Sequence, residues 1–280
     1  MIPKTIHYCW LSKDPYPALV ERCLLSWKEK LPEYEFMLWN TERFDVEQLE
    51  WTKQAFSLKK YAFVSDYIRL YALYHYGGIY LDTDVEVLKG MDDLLGDISF
   101  IGWESSGILE AAIIGAQKGT PWLKEGMAYY ENTSFIKVGG GLETMPMPLV
   151  LQARFMKEKD FLENFKTCDS LSPAYDFTLE AETGFKAFRK NKNKIQYIEK
   201  VGLKVYPSSY FSPKNLISNK INSDSSTYCI HYFNAKWVKK NIGYYTKYMI
   251  HRFLLFTLGE KNHEKMVNRI RARNKDWISK

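Results

Sequence analysis

The segment Lys60–Glu86 constrains the fold of this chain more than any other part of its sequence. A helical run of apolar and aromatic residues ends there at Gly77–Gly78, because glycine readily adopts the left-handed conformation that closes a helix. The alternating residues from Ile79 onward predict a strand, and Asp82 and Asp84 follow it. If the strand extends through them, both carboxylates point the same way. We therefore expect two carboxylates at the carboxyl end of a strand, where open α/β sheets bind ligands.

The residues before this segment alternate between strand-like and helix-like patterns. We predict strands over Thr5–Trp10 and Glu35–Trp39, with a helix over Ala18–Lys30 between them and a shorter helix around Val46–Trp51. The order strand, helix, strand, helix indicates an α/β domain. Further strands are predicted at Ile98–Ile101 and Ala111–Ile114.

Composition and termini exclude several classes of protein. The chain has 280 residues, of which 46% are hydrophobic and 26% charged, so it can bury a core. Its four cysteines form no C-x-x-C pair, which argues against a zinc knuckle and a disulfide framework. The start of the chain lacks a signal-peptide pattern, and the apolar run Tyr248–Leu258 is much shorter than the ~20 residues that span a membrane. We expect a cytoplasmic protein.

The basic charge is concentrated at the end of the chain. Residues 236–280 hold twelve lysines and arginines but three acidic residues. We predict one domain over residues 1–237 and a basic, aromatic helical extension over residues 238–280. The extension has two main interpretations: helices packed through their aromatic residues, or a segment that holds the protein on an anionic membrane, such as the inner face of the plasma membrane. The same basic and aromatic composition also suits nucleic acid. We expect no nucleic-acid partner.

Four charged residues of the constraining segment carry the candidate chemistry. Asp82 and Asp84 offer hard oxygen ligands, which suit Mg²⁺ or Mn²⁺ and, through the metal, a diphosphate. A D-x-D tripeptide alone also fits a solvated strand end. Asp66 and Arg69 lie three residues apart and share a helix face, either as an ordinary salt bridge or as a pair that grips sugar hydroxyls and a phosphate. Because Gly77–Gly78 ties this helix to the acidic strand, we expect all four at one sheet edge.

Two motifs together resemble a known family. Ile2–Trp10 reads I-P-K-T-I-H-Y-C-W, and A-x-x-S-D-x-x-R at Ala62–Arg69 precedes G-G-I-Y-L-D-T-D at Gly77–Asp84. These residues resemble the DXD-containing sugar transferases of glycosyltransferase family 32. The resemblance implies a GT-A-like α/β fold, with a mixed central sheet flanked by helices. It also implies retaining transfer of a hexose from a nucleotide-sugar donor, with Mn²⁺ or Mg²⁺ as cofactor.

The resemblance also implies roles for individual residues. Trp10 would stack on the nucleobase at the end of the first strand, although a core position is the alternative. Asp66 and Arg69 would contact the donor sugar and its diphosphate. Asp82 would contact the ribose, the sugar or a metal-bound water, and Asp84 would bind the metal directly. The other implied donor-binding residues are His7, Ser65 and Tyr80.

A second group of candidates lies late in the chain. Family members usually carry a late histidine followed by a serine-tryptophan pair, and Cys229–Trp237 is similar, but Lys236 stands where serine is common. The resemblance implies that His231 or Asn234 completes the metal site. Lys236 or Trp237 would contact the diphosphate. A histidine after a short apolar strand is also often a structural residue, so that interpretation stays open.

The resemblance favours a UDP-sugar donor, with GDP-mannose second, and a role in making capsular polysaccharide, another surface polysaccharide or a lipid-linked glycan. The acceptor would be a glycan or lipid-linked saccharide, and Glu104 and Glu182 are candidates to orient it. Front-face retention needs no protein base, whereas double displacement needs a carboxylate on the opposite sugar face, and both routes stay open. A non-catalytic nucleotide-sugar or glycan-binding module is the alternative function. A haloacid-dehalogenase-like phosphohydrolase is disfavoured, because its D-x-D belongs on the first strand.

Overall fold

The computed structural model describes residues 1–105, 107–151, 165–167, 191–215 and 218–234. The chain divides into two units, one made of residues 1–214 with 222–234 and the other of residues 215–221 with 235–280. In the second unit the described residues form a turn, in which the Asn219 N–H donates to the Asn215 carbonyl at 2.8 Å. The predicted boundary at residue 237 and the predicted extension stay predictions, since residues 235–280 lie outside the described residues.

The first unit alternates strands and helices. Its strands are β1 (Thr5–Cys9), β2 (Glu35–Trp39), β3 (Gly78–Leu81), β4 (Val85–Val87), β5 (Ser99–Trp103), β6 (Leu109–Ala116), β7 (Phe165–Thr167), β8 (Gln196–Ile198), β9 (Leu203–Tyr206) and β10 (Cys229–His231). Its main helices are α1 (Ala18–Lys30), α2 (Glu50–Ser57), α3 (Tyr61–Tyr76) and α4 (Pro121–Glu131), with a short helix Ser208–Phe211 and 3₁₀ turns at Val46–Gln48, Asp92–Leu94 and Glu199–Val201. Within the described ranges, no helix is long and apolar enough to cross a bilayer.

Eight strands form a mixed central sheet in the order β2-β1-β3-β6-β5-β9-β8-β7. The pairs β1–β2, β1–β3 and β5–β9 are parallel, and the other pairs are antiparallel. A separate two-stranded sheet pairs β4 with β10. The predicted mixed α/β sheet flanked by helices is confirmed.

The two faces of this sheet bury two apolar clusters. On one face, Tyr80 and Ile114 pack with residues of α2, α3 and α4. On the other face, Ile79, Leu81 and Ile113 pack with α1 and β4 residues. Neighbouring residues of one strand enter different clusters because strand side chains alternate. The sheet is therefore covered on both sides.

Gly77 and Gly78 join α3 to β3 in a space that only glycine fits. Both have positive φ, +69° and +114°. A Cβ on Gly77 would lie 2.8 Å from the backbone nitrogen of Lys118, and one on Gly78 would lie 2.5 Å from the carbonyl oxygen of Thr5. The helix therefore ends close against β1 and β6, which places α3 and the residues after β3 at one sheet edge.

Two local features differ from the expectation. Instead of one helix around Val46–Trp51, a 3₁₀ turn forms at Val46–Gln48, where the Asp45 side chain accepts the Glu47 N–H, and α2 starts only at Glu50. In addition, β3 ends at Leu81. The D-x-D tripeptide is therefore a turn between β3 and β4, not an extension of the strand.

Candidate functional site

The D-x-D turn lies at the carboxyl ends of the parallel strands β1 and β3. The Val85 N–H donates to the Asp82 carbonyl at 3.0 Å, which closes the turn. The Asp82 N–H donates to the Ala112 carbonyl of β6 at 2.9 Å and anchors the turn to the sheet. Trp10 follows β1 at the same edge, because β1 and β3 run in parallel. The predicted position of the two carboxylates is confirmed, although a turn and not a strand brings them together.

Helix α3 supplies a buried cation to this turn. The Arg69 guanidinium lies 3.0 Å from an Asp66 oxygen and 3.3 Å from an Asp82 oxygen. It also donates to the Ala111 carbonyl at 2.6 Å and to the Ser65 carbonyl at 3.3 Å. The Arg69 side chain is only 6% exposed, so its guanidinium N–H groups point at acceptors of the protein. The expected Asp66–Arg69 pair exists, and it reaches the D-x-D turn through Asp82.

Tyr80 of β3 contacts both Asp82 and Arg69. Its hydroxyl donates to Asp82 at 3.0 Å, and its ring lies 4.7 Å from the Arg69 guanidinium carbon. Burial raises the pKa of Asp82, and the Arg69 charge opposes that rise. Burial likewise raises the pKa of Asp66 to about 7, again against Arg69. Both carboxyl groups therefore bind a proton at a higher pH than an ordinary aspartate does.

His231 reaches the turn because β10 pairs with β4. The antiparallel register sets His231 opposite Val85, directly after Asp84. Its Nε2 lies 3.4 Å from an Asp84 oxygen. The other Asp84 oxygen accepts the Asn234 N–H at 2.8 Å. Between these two residues, Phe233 adopts the left-handed conformation (φ +51°), and its ring packs at a tilt against the His231 ring.

Three side chains could hold a metal ion here. One ligand atom each from Asp82, Asp84 and His231 lies within 4.8 Å of the others. Two carboxylates with one imidazole suit Mn²⁺ well and Mg²⁺ through its carboxylate ligands. Asn234, which the resemblance also offered as a ligand, contributes its backbone N–H to Asp84.

The electrostatics of this group favour an ionised Asp84. Burial opposes the charge of Asp84, but the positive charge and hydrogen bond of His231 and the Asn234 N–H outweigh burial, so the pKa of Asp84 is lowered. Burial also opposes a charged His231, yet Glu110 and then Asp84 hold the His231 pKa well above its usual value. The D-x-D turn thus contains one firmly ionised carboxylate, Asp84, and one with a raised pKa, Asp82.

Two residues at the site escaped the sequence analysis. Glu110 is buried on β6, and its carboxylate lies 3.0 Å from Nδ1 of His231. A lone glutamate inside the apolar run of β6 was the available indication, because unpaired glutamates are rarely buried. Lys214 donates to the Tyr232 carbonyl at 2.7 Å, and although burial lowers its pKa, Asp84 acts in the opposite direction. Nothing in the local sequence pattern distinguishes Lys214.

The remaining candidates occupy different surroundings. His7 is fully buried: its Nδ1 accepts the Trp39 indole N–H at 3.1 Å, so its Nε2–H donates to the Gly77 carbonyl at 2.7 Å. Burial lowers the pKa of His7, in agreement with a neutral ring. This ring links β1 to the end of α3, and its donor-binding role stays a prediction. Ser65 is buried beside Arg69 and donates to the Ala62 carbonyl.

Trp10 is half-buried at the sheet edge. Its ring packs edge-on against Tyr16 at 4.9 Å, and its indole N–H donates to the Asp14 carbonyl at 3.0 Å. It is therefore not a core residue, and stacking on a nucleobase stays a prediction. Glu104 lies in the turn between β5 and β6. Three further candidates, Glu182, Lys236 and Trp237, lie outside the described residues.

Comparison with known proteins agrees with this geometry. The family described as "Glycosyltransferase sugar-binding region containing DXD motif" matches residues 17–101, which include Ser65, Asp66, Arg69 and both D-x-D carboxylates. The match confirms the resemblance to DXD-containing sugar transferases. The mixed α/β sheet is the fold class that this resemblance implies, and the finer GT-A-like assignment stays a prediction.

Two curated relatives are yeast enzymes. Inositol phosphoceramide mannosyltransferase 3 of Schizosaccharomyces pombe is 31% identical over 126 residues, which are 44% of this chain and 35% of that protein. Inositol phosphoceramide mannosyltransferase 1 of the same yeast is 33% identical over 107 residues, 36% of this chain and 33% of that protein. The chain thus spans about a third of their length. Among solved structures, a PaToxG glycosyltransferase aligns with 58% of this chain and 72% of its own, at 20% identity and a TM-score of 0.41.

Proposed function

We propose that this protein transfers a hexose from a nucleotide-sugar to a glycan or glycolipid acceptor. The match of residues 17–101 to the DXD-containing glycosyltransferase sugar-binding region supports the proposal. We further propose that the reaction depends on a divalent metal and retains the anomeric configuration. The observation that carries the proposal is the convergence of Asp82, Asp84 and His231 beside the fixed Arg69 cation. Hard ligands next to a buried cation suit the diphosphate of a departing nucleotide.

The residues present fit Mn²⁺ or Mg²⁺. Asp84 and His231 would hold the metal directly, with Asp82 as a third ligand or as the partner of a metal-bound water. A divalent cation supplies positive charge to the leaving diphosphate and so lowers the barrier to its departure.

The protein's own cations would complete the charge balance. Arg69 is held by carbonyls and carboxylates, so it needs no reorganisation when an anion arrives. We also assign Lys214 to offsetting the charge of the diphosphate. It donates a hydrogen bond to the Tyr232 carbonyl and interacts electrostatically with Asp84. Trp10 would cover the nucleobase at the end of β1, where its ring is only half-buried.

For the donor, the relatives' names favour a mannosyl group. Both are named inositol phosphoceramide mannosyltransferases, so we now place GDP-mannose first and UDP-sugars second. The same names support a glycolipid acceptor over a capsular polysaccharide. An acceptor of that kind would bring the enzyme to a membrane, and we retain the basic extension as the proposed contact with anionic lipids.

The first test is thermal unfolding with Mn²⁺ and each of GDP, UDP, GDP-mannose and the common UDP-sugars. A nucleotide at a hundredfold its dissociation constant adds roughly 2.7 kcal/mol, which raises the midpoint by several degrees. We expect a metal-dependent shift with one nucleotide class in the wild type. Asp84→Asn should lose that shift and at least a hundredfold of the donor turnover, because it removes the metal's permanent carboxylate.

Asp92→Asn is the matched control. Asp92 is also a hydrogen-bonded aspartate of this unit, but its partners are Lys4 and Tyr34 and not residues of the D-x-D turn. It should keep the wild-type shift and turnover. The anomeric configuration of the product, read by NMR, tests retention. A metal-dependent shift without turnover on any acceptor or water would favour the non-catalytic binding module, and no shift with any nucleotide would contradict the proposal.

A further inference from the structure

Strand β6 departs from regular pairing at the point where it passes the site. Ile101 of β5 pairs with Ile114, but the next residue, Gly102, pairs with Glu110. The residues in between form a bulge, a feature that often redirects side chains next to functional sites. Within the bulge, the Ala111 carbonyl accepts from Arg69 and the Ala112 carbonyl accepts from Asp82. The bulge therefore contacts both halves of the Arg69–Asp82 pair.

The same bulge aims the Glu110 side chain at His231. One carboxylate oxygen of Glu110 accepts the Ala112 N–H at 2.8 Å, and the other accepts from the Ser212 hydroxyl and lies 3.0 Å from Nδ1 of His231. Opposite Glu110, Gly102 leaves the space that the Phe211 ring fills, since a Cβ there would lie 2.8 Å from it. Glu110 is thus immobilised by a backbone N–H, a hydroxyl and tight packing.

We infer that Glu110 is a positioning residue that turns His231 so that its Nε2 faces the D-x-D carboxylates as a metal ligand. A carboxylate can only accept from Nδ1–H, so once a metal displaces the Nε2 proton, this contact keeps the neutral ring in the tautomer that leaves Nε2 for the metal. The Phe233 ring packs against the imidazole, with the ring centroids 3.9 Å apart and the planes tilted by 36°. Carboxylates in this position behind a metal-binding histidine commonly contribute 10-fold to 100-fold to metal affinity. The inference rests on the proposed metal-dependent function.

The test compares Mn²⁺ affinity in the full-length wild type, Glu110→Gln, His231→Ala and the double variant, measured without substrate by the electron paramagnetic resonance of free Mn²⁺. We expect Glu110→Gln to bind Mn²⁺ about 10-fold to 100-fold more weakly. In the His231→Ala background the same substitution should add no further loss, because Glu110 acts through the imidazole. Ser212→Ala removes one of the Glu110 donors and keeps the carboxylate, so it should cause a smaller loss of affinity.

Asp97→Asn is the control for burial alone. Asp97 is also a largely buried carboxylate of this unit, with hydrogen bonds from Lys204 and Tyr206. It should lower the unfolding midpoint and leave Mn²⁺ affinity unchanged. If Glu110→Gln fails to fold, Ser212→Ala together with His231→Ala carries the same comparison.

Three results would overturn the inference. Glu110→Gln could bind Mn²⁺ within twofold of the wild type and lose only stability, as Asp97→Asn does. Its effect could also be as large without His231 as with it. Either result leaves the proposed transferase standing if the wild type still shows metal-dependent turnover. A wild type that binds no Mn²⁺ would overturn the inference and the proposed metal dependence together.

Discussion

The two ends of β1 carry similar residue types in opposite surroundings. Beyond its carboxyl end, the charged groups of Arg69, Asp66 and Asp82 are packed against one another, with the Arg69 side chain 6% and the Asp66 side chain 13% exposed. At its amino end, Lys4 bridges Glu33 and Asp92, whose side chains are 75% and 61% exposed. Both groups form short ion pairs. Only the first has excluded water from them.

The difference shows that this fold tolerates the desolvation cost of buried charges beyond the carboxyl end of β1. Exposed ion pairs contribute little, because water and salt screen them. Burying a charge costs desolvation energy that its partner often fails to recover fully, so hydrophobic residues of the same size would frequently be more stable. A chain selected for stability alone has no need of the Arg69 network. The proposed binding of a diphosphate beside the D-x-D turn would account for its presence there.

The largest expected effect comes from removing the buried cation. Arg69→Met leaves the buried Asp66 and the partly buried Asp82 without their counter-charge and the Ala111 carbonyl without its donor. We expect the free energy of unfolding, measured by urea denaturation, to fall by about 3–5 kcal/mol. Donor turnover should be lost as well, since the diphosphate would lose its fixed positive partner.

Lys4→Met is the matched change at the other end of β1. Because Lys4 and both its partners are exposed, its effect on the urea midpoint should stay within experimental error. Equal losses in the two variants would contradict the comparison. They would mean that the site network is as well solvated as the amino-terminal pairs.

The next effect is a difference in pH dependence. Burial raises the pKa of Asp66 from its usual 3.8 to about 7, so the folded state binds a proton that the unfolded state releases. The stability of the wild type relative to Asp66→Asn should therefore be highest near pH 4 and fall as the pH rises to about 7, by about 2–4 kcal/mol. Thermal or urea unfolding of both proteins across this range measures it. A difference that is constant with pH, or that grows, would contradict the raised pKa.

Much of this site could be predicted from sequence because its determinants are local. The helical pattern, Gly77–Gly78 and the strand pattern after them lie within one short segment, and they place Arg69 and the D-x-D carboxylates at one edge whatever the rest of the chain does. The strand extension considered for Asp84 is nevertheless not formed, because Asp84 lies in a turn. A turn and a short strand extension both bring two carboxylates to the edge, so the pattern alone does not distinguish them.

The rest depends on contacts between distant residues. Glu110 meets His231 across 121 residues of sequence, and only the bulge in β6 aims one at the other. Alternation along β6 predicts which residues are buried but has no means of predicting a bulge, because the bulge follows from the pairing with β5. His231 itself was found through its likeness to a family pattern. Lys214 also depends on a contact with a later segment, at Tyr232, and the local sequence pattern does not indicate it.

The smallest effect concerns the exposed end and has the opposite sign. Hydrogen bonds from Tyr34 and then Lys4 lower the pKa of Asp92, so its contribution to stability is present above pH 4 and is lost as the pH falls through the lowered value. Asp92→Asn should therefore differ slightly from the wild type between pH 5 and pH 8, and the two should converge below pH 4. Asp66→Asn shows its main change between pH 4 and pH 7, where Asp92→Asn shows none. Unfolding midpoints of the two variants in one buffer series distinguish the buried carboxylate from the exposed one. If the difference between the wild type and Asp92→Asn changed mainly between pH 5 and pH 7, water would be excluded at both ends of β1.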